Sequence, residues 1–311
     1  MTTTRLFYPA GIRIGTEIIR QMNDQSVDAN LEDLTEYAAG DFVPSFTGSR
    51  SLAPEFQQTT IDVHRVLELC DPNDGGAEWL SRSVAAGNAD MWFRQGQSNA
   101  WRYSETETQH VVYRMIQNAM MYWSTLQAQQ DQEATIQYTV CASLTPTNPL
   151  LTLLNNTAIQ EAPRVEHVWT LGPILVNGAP VDGLQSVQWS NNIEVDKVAG
   201  SGEEGPSFLC GRQARPVVSF DGHDLEGGQS TGTHGLALSG DGLRVYLRRR
   251  AVSGINYQDS DAVHVLLHAT GGTVKWRRTT GDRGMGTWEV HLHRPAAGAA
   301  LFDVDVGVTL P

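Results

Sequence analysis

Two stretches of this chain share one skeleton. Pro44-Ser45-Phe46, Arg50 and Pro54 recur as Pro206-Ser207-Phe208, Arg212 and Pro216, in the same order, at the same spacing and at one constant offset along the chain. A repeat of this kind constrains a fold strongly, because whatever the first copy builds must be buildable twice. The flanks extend the match. Gln25-Ser26-Val27 recurs as Gln185-Ser186-Val187, and Ala10-Gly11-Ile12-Arg13-Ile14 finds a counterpart in Gly172-Pro173-Ile174-Leu175-Val176. Further on, Ile136-Gln137-Tyr138-Thr139-Val140 aligns with Thr287-Trp288-Glu289-Val290-His291, and Thr157-Ala158-Ile159 with Thr309-Leu310-Pro311. The pattern predicts two tandem copies of one domain, residues 1–162 and 163–311, joined through the short run Gln160-Glu161-Ala162-Pro163. The rival reading is one large β domain with a chance similarity.

With 311 residues, each copy is long enough to bury a core of its own. The formal net charge is -13 while only 18% of residues are charged, and 30 glycines and 13 prolines make turns plentiful. That composition describes a folded, acidic, loop-rich chain. It argues against tight phosphate-backbone binding, which needs clustered Lys and Arg, but not against a nucleic acid that must pass without sticking. No stretch approaches eighteen apolar residues, and Met1 to Pro9 lacks the apolar run of a signal peptide, so a soluble protein is expected.

Alternation dominates over helical periodicity. Gln57 to Val63 reads as a strand rich in branched residues, and Asn23 to Gly40 as an acidic hairpin arm or weak helix. Ala77 to Ala86 reads as a short helix with Trp79, Leu80, Val84 and Ala86 near one face, ended at Gly87. Val111 to Trp123 alone suits a helix. Its counterpart in the second copy contains Gly271-Gly272, which argues for two strands in both copies. Gly227 to Thr233 stands in the second copy where the first has its helical insert.

Little chemistry is legible. Cys70, Cys141 and Cys210 form no close pair, which fits neither a disulfide framework nor a zinc site. His291 and His293 share a strand face, but read as a solvated or core-edge pair rather than as metal ligands. There is no serine elbow and no phosphate-binding glycine loop ending in Lys-Ser/Thr. Neither catalytic residues nor a cofactor or metal site is expected. Two basic groups, Arg244 with Arg248 to Arg250 and Lys275 with Arg277 and Arg278, suit either a nucleic-acid surface or pairing with acidic arms of another copy. The prolines of the repeat place Arg50 and Arg212 near a sheet edge, where each guanidinium reaches a carboxylate on a neighbouring chain or one in its own domain.

From Val187 to Leu225 the chain resembles the major tail tube proteins of long-tailed bacteriophages, in their duplicated-domain form. The resemblance rests on Ile193-Glu194-Val195-Asp196, the Gly-rich acidic turn, Gly205-Pro206-Ser207-Phe208, Arg215-Pro216-Val217-Val218-Ser219-Phe220 and Gly222-His223-Asp224-Leu225. It implies a mainly β fold: two tandem β-sandwich or β-barrel domains, with a short flanking helix in at least the first. It also implies a non-enzymatic virion protein of the tail, assembled in the host cytoplasm into stacked rings without membrane insertion. Two domains per chain favour a trimeric ring of pseudo-sixfold symmetry, with a hexamer as the alternative. Genomic DNA would transit the lumen without specific binding, and the tape measure, terminator and distal tail proteins would be further partners. Asp28, Glu32, Asp33 and Glu36 in one acidic arm, Asp196, Glu203 and Glu204 in the other, and Arg50 and Arg212 become the expected inter-subunit contacts. Other readings are a tail terminator, baseplate or capsid decoration protein, and a carbohydrate-binding β-sandwich pair or an enzyme with a dispersed site.

Overall fold

Alternating apolar and polar residues produce strands along most of the chain. The computed structural model describes residues 7–19, 22–28, 31–36, 46–84, 88–95, 110–116, 118–144, 149–157, 167–201, 203, 205–223, 236–251, 257–259, 261–278 and 286–311. The first half contributes β1 (Phe7–Ile14), β2 (Glu17–Ile19), β3 (Met22–Asp28), β4 (Leu31–Glu36), β5 (Phe46–Leu52), β6 (Glu55–Thr60), the helix α1 (Val63–Leu69), β7 (Gly76–Ala77), β8 (Ser81–Val84), β9 (Asn88–Gln95), β10 (His110–Ile116), β11 (Ala119–Gln129), β12 (Thr135–Ala142) and β13 (Thr152–Thr157). The second contributes β14 (His167–Val176), β15 (Ala179–Pro180), β16 (Leu184–Ser190), β17 (Glu194–Val198), β18 (Phe208–Gln213), β19 (Val217–Gly222), β20 (Leu236–Ala237), β21 (Leu243–Ala251), β22 (His264–Ala269), β23 (Gly272–Arg278), β24 (Gly286–Leu292) and β25 (Asp303–Val308). The fold is mainly β.

The two halves carry the same strand order. A five-stranded sheet β13-β10-β9-β1-β2 recurs as β25-β22-β21-β14-β15. The run β8-β11-β12-β6-β3 recurs as β20-β23-β24-β19-β16, and the two runs fuse into one 11-stranded sheet where β16 pairs with β11. The hairpin β4/β5 recurs as β17/β18.

Irregularities recur with the order. In β5 the ladder skips Arg50, and in β18 it skips Arg212, so each arginine of the repeat is the extra residue of a bulge. The ladder of β3 skips Asn23 and that of β16 skips Gln185, a pair separated by the same offset as Arg50 and Arg212. Register corrects two of the sequence matches. Val27 lies opposite Phe56 and Trp189 opposite Val218, so Gln25-Ser26-Val27 corresponds to Val187-Gln188-Trp189, two residues beyond the matching letters. Val140 lies opposite Phe56 and Val290 opposite Val218, which shifts the later match by one residue.

The halves do not keep separate cores. A single cluster of buried residues runs from Ile12 to Val304, with Trp123, Trp189 and Trp288 fully enclosed. Phe302 from the second half packs edge-on against Trp123 of the first, with ring centroids 6.1 Å apart, and against Trp189 at 4.9 Å.

The helix lies elsewhere than expected. Glu78 and Trp79 have φ of 54° and 61°, a left-handed pair that ends any helix through 77–86, and Ser81 to Val84 instead pair with Tyr122 to Ala119. The helix is α1, where Val63, Val66, Leu67 and Leu69 supply the buried stripe. The expected strand pair across Val111 to Trp123 is present as β10 and β11, separated by a turn in which Asn118 has φ 47°. Residues 224–235, where a helix of the second half would fall if it keeps one, lie outside the described residues.

One buried titratable group sets a pH response. His264 on β22 is fully buried; its Nδ1 accepts the backbone N–H of Arg249 at 3.0 Å, and its Nε2 has no hydrogen-bond partner among the described residues. Burial holds its pKa below the ordinary 6.5, outweighing the nearby Asp259 carboxylate, and the Arg248 guanidinium pushes the same way. The unfolded chain therefore takes up the proton first as pH falls. The His264 contribution to stability is complete above about pH 6.5 and is lost as pH drops through the depressed folded value. Melting temperature should fall from pH 7.5 to pH 5, and His264→Phe should flatten that slope. An unchanged slope in the variant would remove His264 from the account.

Candidate assembly surface

The joint between the halves is a strand pairing. Residues 119–122 of β11 pair with β8, and residues 125–129 pair with β16 in the register Thr125↔Ser190, Leu126↔Trp189, Gln127↔Gln188, Ala128↔Val187 and Gln129↔Ser186. Asn191 fastens it. Fully buried, it accepts the Trp189 indole N–H at 3.0 Å, donates from Nδ2 to the Trp123 carbonyl at 3.1 Å, and donates its backbone N–H to the Ser124 carbonyl at 2.8 Å.

The β17/β18 hairpin leans from the second half onto the first. Lys197 forms an ion pair with Glu55, and the Leu144 N–H donates to the Pro206 carbonyl at 2.5 Å. Gly205 is needed there: a Cβ at this position would sit 2.2 Å from Leu150 Cδ1 and 2.6 Å from the Leu52 carbonyl oxygen.

The fused sheet ends, among the described residues, in two open edges. Among the described residues β3 pairs only with β6, and β23 beyond Val274 has β24 on one side and no strand on the other. These edges correspond to the two that meet at the internal joint. β3 holds the place of β16, and β23 that of β11.

One face of this sheet is core; the other is polar. Row by row, cross-strand neighbours on the polar face are Asp24, Thr59, Gln137, Thr125, Ser190, Val217, His291 and Thr273. A second row runs Thr135, Gln127, Gln188, Ser219, Glu289 and Lys275, and a third Gln129, Ser186, Asp221, Thr287 and Arg277. Hydroxyls and amides dominate. Asp24, Asp28, Glu55, Asp221 and Glu289 outnumber Lys275 and Arg277, so the face is acidic on balance. Sequence alternation marked several of these strands, but only the pairing order shows that these polar residues form one continuous surface.

The expected contact residues divide between hairpins and edge. Asp28 ends β3, exposed, opposite Glu55. In β4, Glu32, Asp33 and Glu36 lie opposite Ser51, Ser49 and Phe46 in the ladder to β5, which carries Arg50 at its bulge. Arg212 sits 4.0 Å from Asp196 across its own hairpin, the intradomain pairing that was the alternative. The exposed Glu203 carboxylate caps its own turn by accepting the Ser207 hydroxyl and the Gly200 N–H, which hold its pKa below the usual carboxylate value. Glu204 lies outside the described residues. At the far end of the second hairpin, Val198 and Phe208 form an in-register apolar pair, 53% and 58% exposed, so the aromatic of the repeated Pro-Ser-Phe, which the repeat suited to a core anchor, lies at the surface in the second copy.

The two basic groups are not neighbours, since β21 and β23 belong to different sheets. Arg248 is held by Asp259 and lies over the Tyr257 ring at 3.7 Å, Arg244 donates to Asp241 at 2.9 Å, and Lys275 lies 3.0 Å from His291. Among the described residues no group of three His, Cys, Asp or Glu is placed to hold a metal ion, and no helix is long and apolar enough to cross a membrane. A cleft of about 510 Å³ beside Leu80, Tyr122, Arg212 and Leu301 is bridged by the Glu78–Arg294 ion pair between the halves. Comparison with protein-family models and with curated proteins returns no match.

Proposed function

We propose that this chain is a structural virion protein whose copies close into stacked rings, forming the tail tube through which a long-tailed phage delivers its DNA. In this reading residues 1–162 and 163–311 are tandem domains, and the protein resides in the virion tail. The observation that carries it is the fused sheet: polar on one face, apolar on the other, and ended by two edges that already meet once inside the chain. Exposed strand edges invite pairing, and these two are unlike one another, so pairing between copies is head-to-tail, the arrangement from which rings are built when the rotation per copy closes.

Eight strands of each chain (β3, β6, β12, β11, β16, β19, β24 and β23) span that sheet. Three chains then give a barrel with a circumference of about 115 Å at ~4.8 Å per strand, and a backbone diameter of about 37 Å before tilt widens it. The polar face lines the bore. Its acidic balance and amide-rich rows give a DNA backbone little to bind. The hairpins β4/β5 and β17/β18 serve as arms, with Val198 and Phe208 as an apolar contact between rings.

Native mass spectrometry with negative-stain imaging tests this. Three-chain rings or stacked tubes are the expected result. Six chains per ring would remove the trimer, and a protein that stays monomeric and binds glycans would overturn the tube reading.

A further inference from the structure

We infer that the joint between copies is an antiparallel pairing of the end of β23 on one chain with the end of β3 on a second copy, registered so that Arg277 stands directly opposite Asp28 and Arg278 opposite Val27. This rests on the ring reading and goes beyond it by assigning the register and the ion pair.

The register is read from the internal joint. There, Thr125 of β11 faces Ser190 of β16. Ser190 lies opposite Val217 on β19 just as Asp28 lies opposite Glu55 on β6, and Val217 follows Glu55 by the repeat distance that separates Arg212 from Arg50. Asp28 therefore occupies the place of Ser190. On the other strand, Thr125 lies opposite Gln137, and Arg277 lies opposite Thr287. Gln137 and Thr287 correspond, since each precedes a buried aromatic, Tyr138 or Trp288, that faces Gln58 or Phe220, again one repeat distance apart. Arg277 therefore occupies the place of Thr125.

The chemistry changes on both sides of the joint together. A hydroxyl pair at the internal joint becomes a guanidinium and a carboxylate at the outer one, both exposed in the single chain. Asp28 also lies opposite Glu55 across the β3/β6 ladder. Lys197 neutralises Glu55 from within the chain. Arg277 of a second copy would arrive on the opposite flank of Asp28, giving the row alternating charge.

Charge reversal tests the pairing in the full chain. Asp28→Arg and Arg277→Asp should each raise the concentration for half-assembly by about fivefold or more, and the double reversal should restore assembly, which a loss of single-chain stability alone would not do. In a Cys210→Ser background, cysteines at 28 and 277 should cross-link between chains under mild oxidation, whereas cysteines at 28 and 275 should not. Rings that form without rescue by the double reversal, or that cross-link through 28 and 275, would overturn the register while leaving the ring reading intact. Wild-type protein that is monomeric at all concentrations would overturn both.

Discussion

Trp189→Ala is expected to cost about 3–5 kcal/mol and to lower the whole protein in one unfolding transition. The indole is fully buried, stacks obliquely on Phe302, and donates to Asn191, which in turn holds the Trp123 carbonyl. Truncation removes the apolar area, leaves a cavity between the halves and unpairs a buried amide oxygen. Because a single buried cluster spans both halves, calorimetry should show one endotherm for wild type and variant alike. Two separated endotherms would show that the halves are independent folding units.

A comparable loss is expected at Asp90. Its carboxylate, 1% exposed on β9, is gripped from both flanks: Arg13 on β1, and Arg114 on β10, whose Nε and Nη2 lie 2.6 and 2.9 Å from its oxygens. The hydrogen bonds to Asp90 hold the Arg114 pKa above its usual value. Asp90→Ala leaves two partly buried guanidinium groups facing one another without a counter-charge, at a cost of about 3–5 kcal/mol. The corresponding row of the second half is Leu175, Arg244 and His268, which shows that the fold does not require a carboxylate there. Replacing all three residues of the first row with apolar side chains should therefore recover most of the loss. Urea unfolding of the single and triple variants measures this, and a single-variant change below about 1 kcal/mol would contradict it.

Much of the architecture was legible because the repeat is written in residues with backbone consequences. Pro54 and Pro216 each follow a hairpin strand, and Arg50 and Arg212 mark equivalent bulges, so letters and geometry coincide. Where the match rested on polar letters alone it slipped. Gln-Ser-Val aligned two residues out of register, a shift that alternation does not expose because it leaves every side chain on the same face. The helix was misplaced for a local reason. α1 begins with no side-chain cap and no acidic first turn, while the Trp79 segment carries apolar spacing that two left-handed residues prevent from coiling. The candidate surface was the least legible part. Asp28 was picked out for its charge within an acidic segment, but its position on an open edge, and that of Arg277 on the other, depends on which strands pair across the whole chain.

Because β11 and β16 pair inside one chain, the joints around the proposed three-chain ring are of two kinds. Three are sealed within a chain, each fastened by Asn191 between Trp189 and the Trp123 carbonyl, and three lie between chains. Such a ring opens only at the joints between copies, so it comes apart into whole chains and never into half-chains.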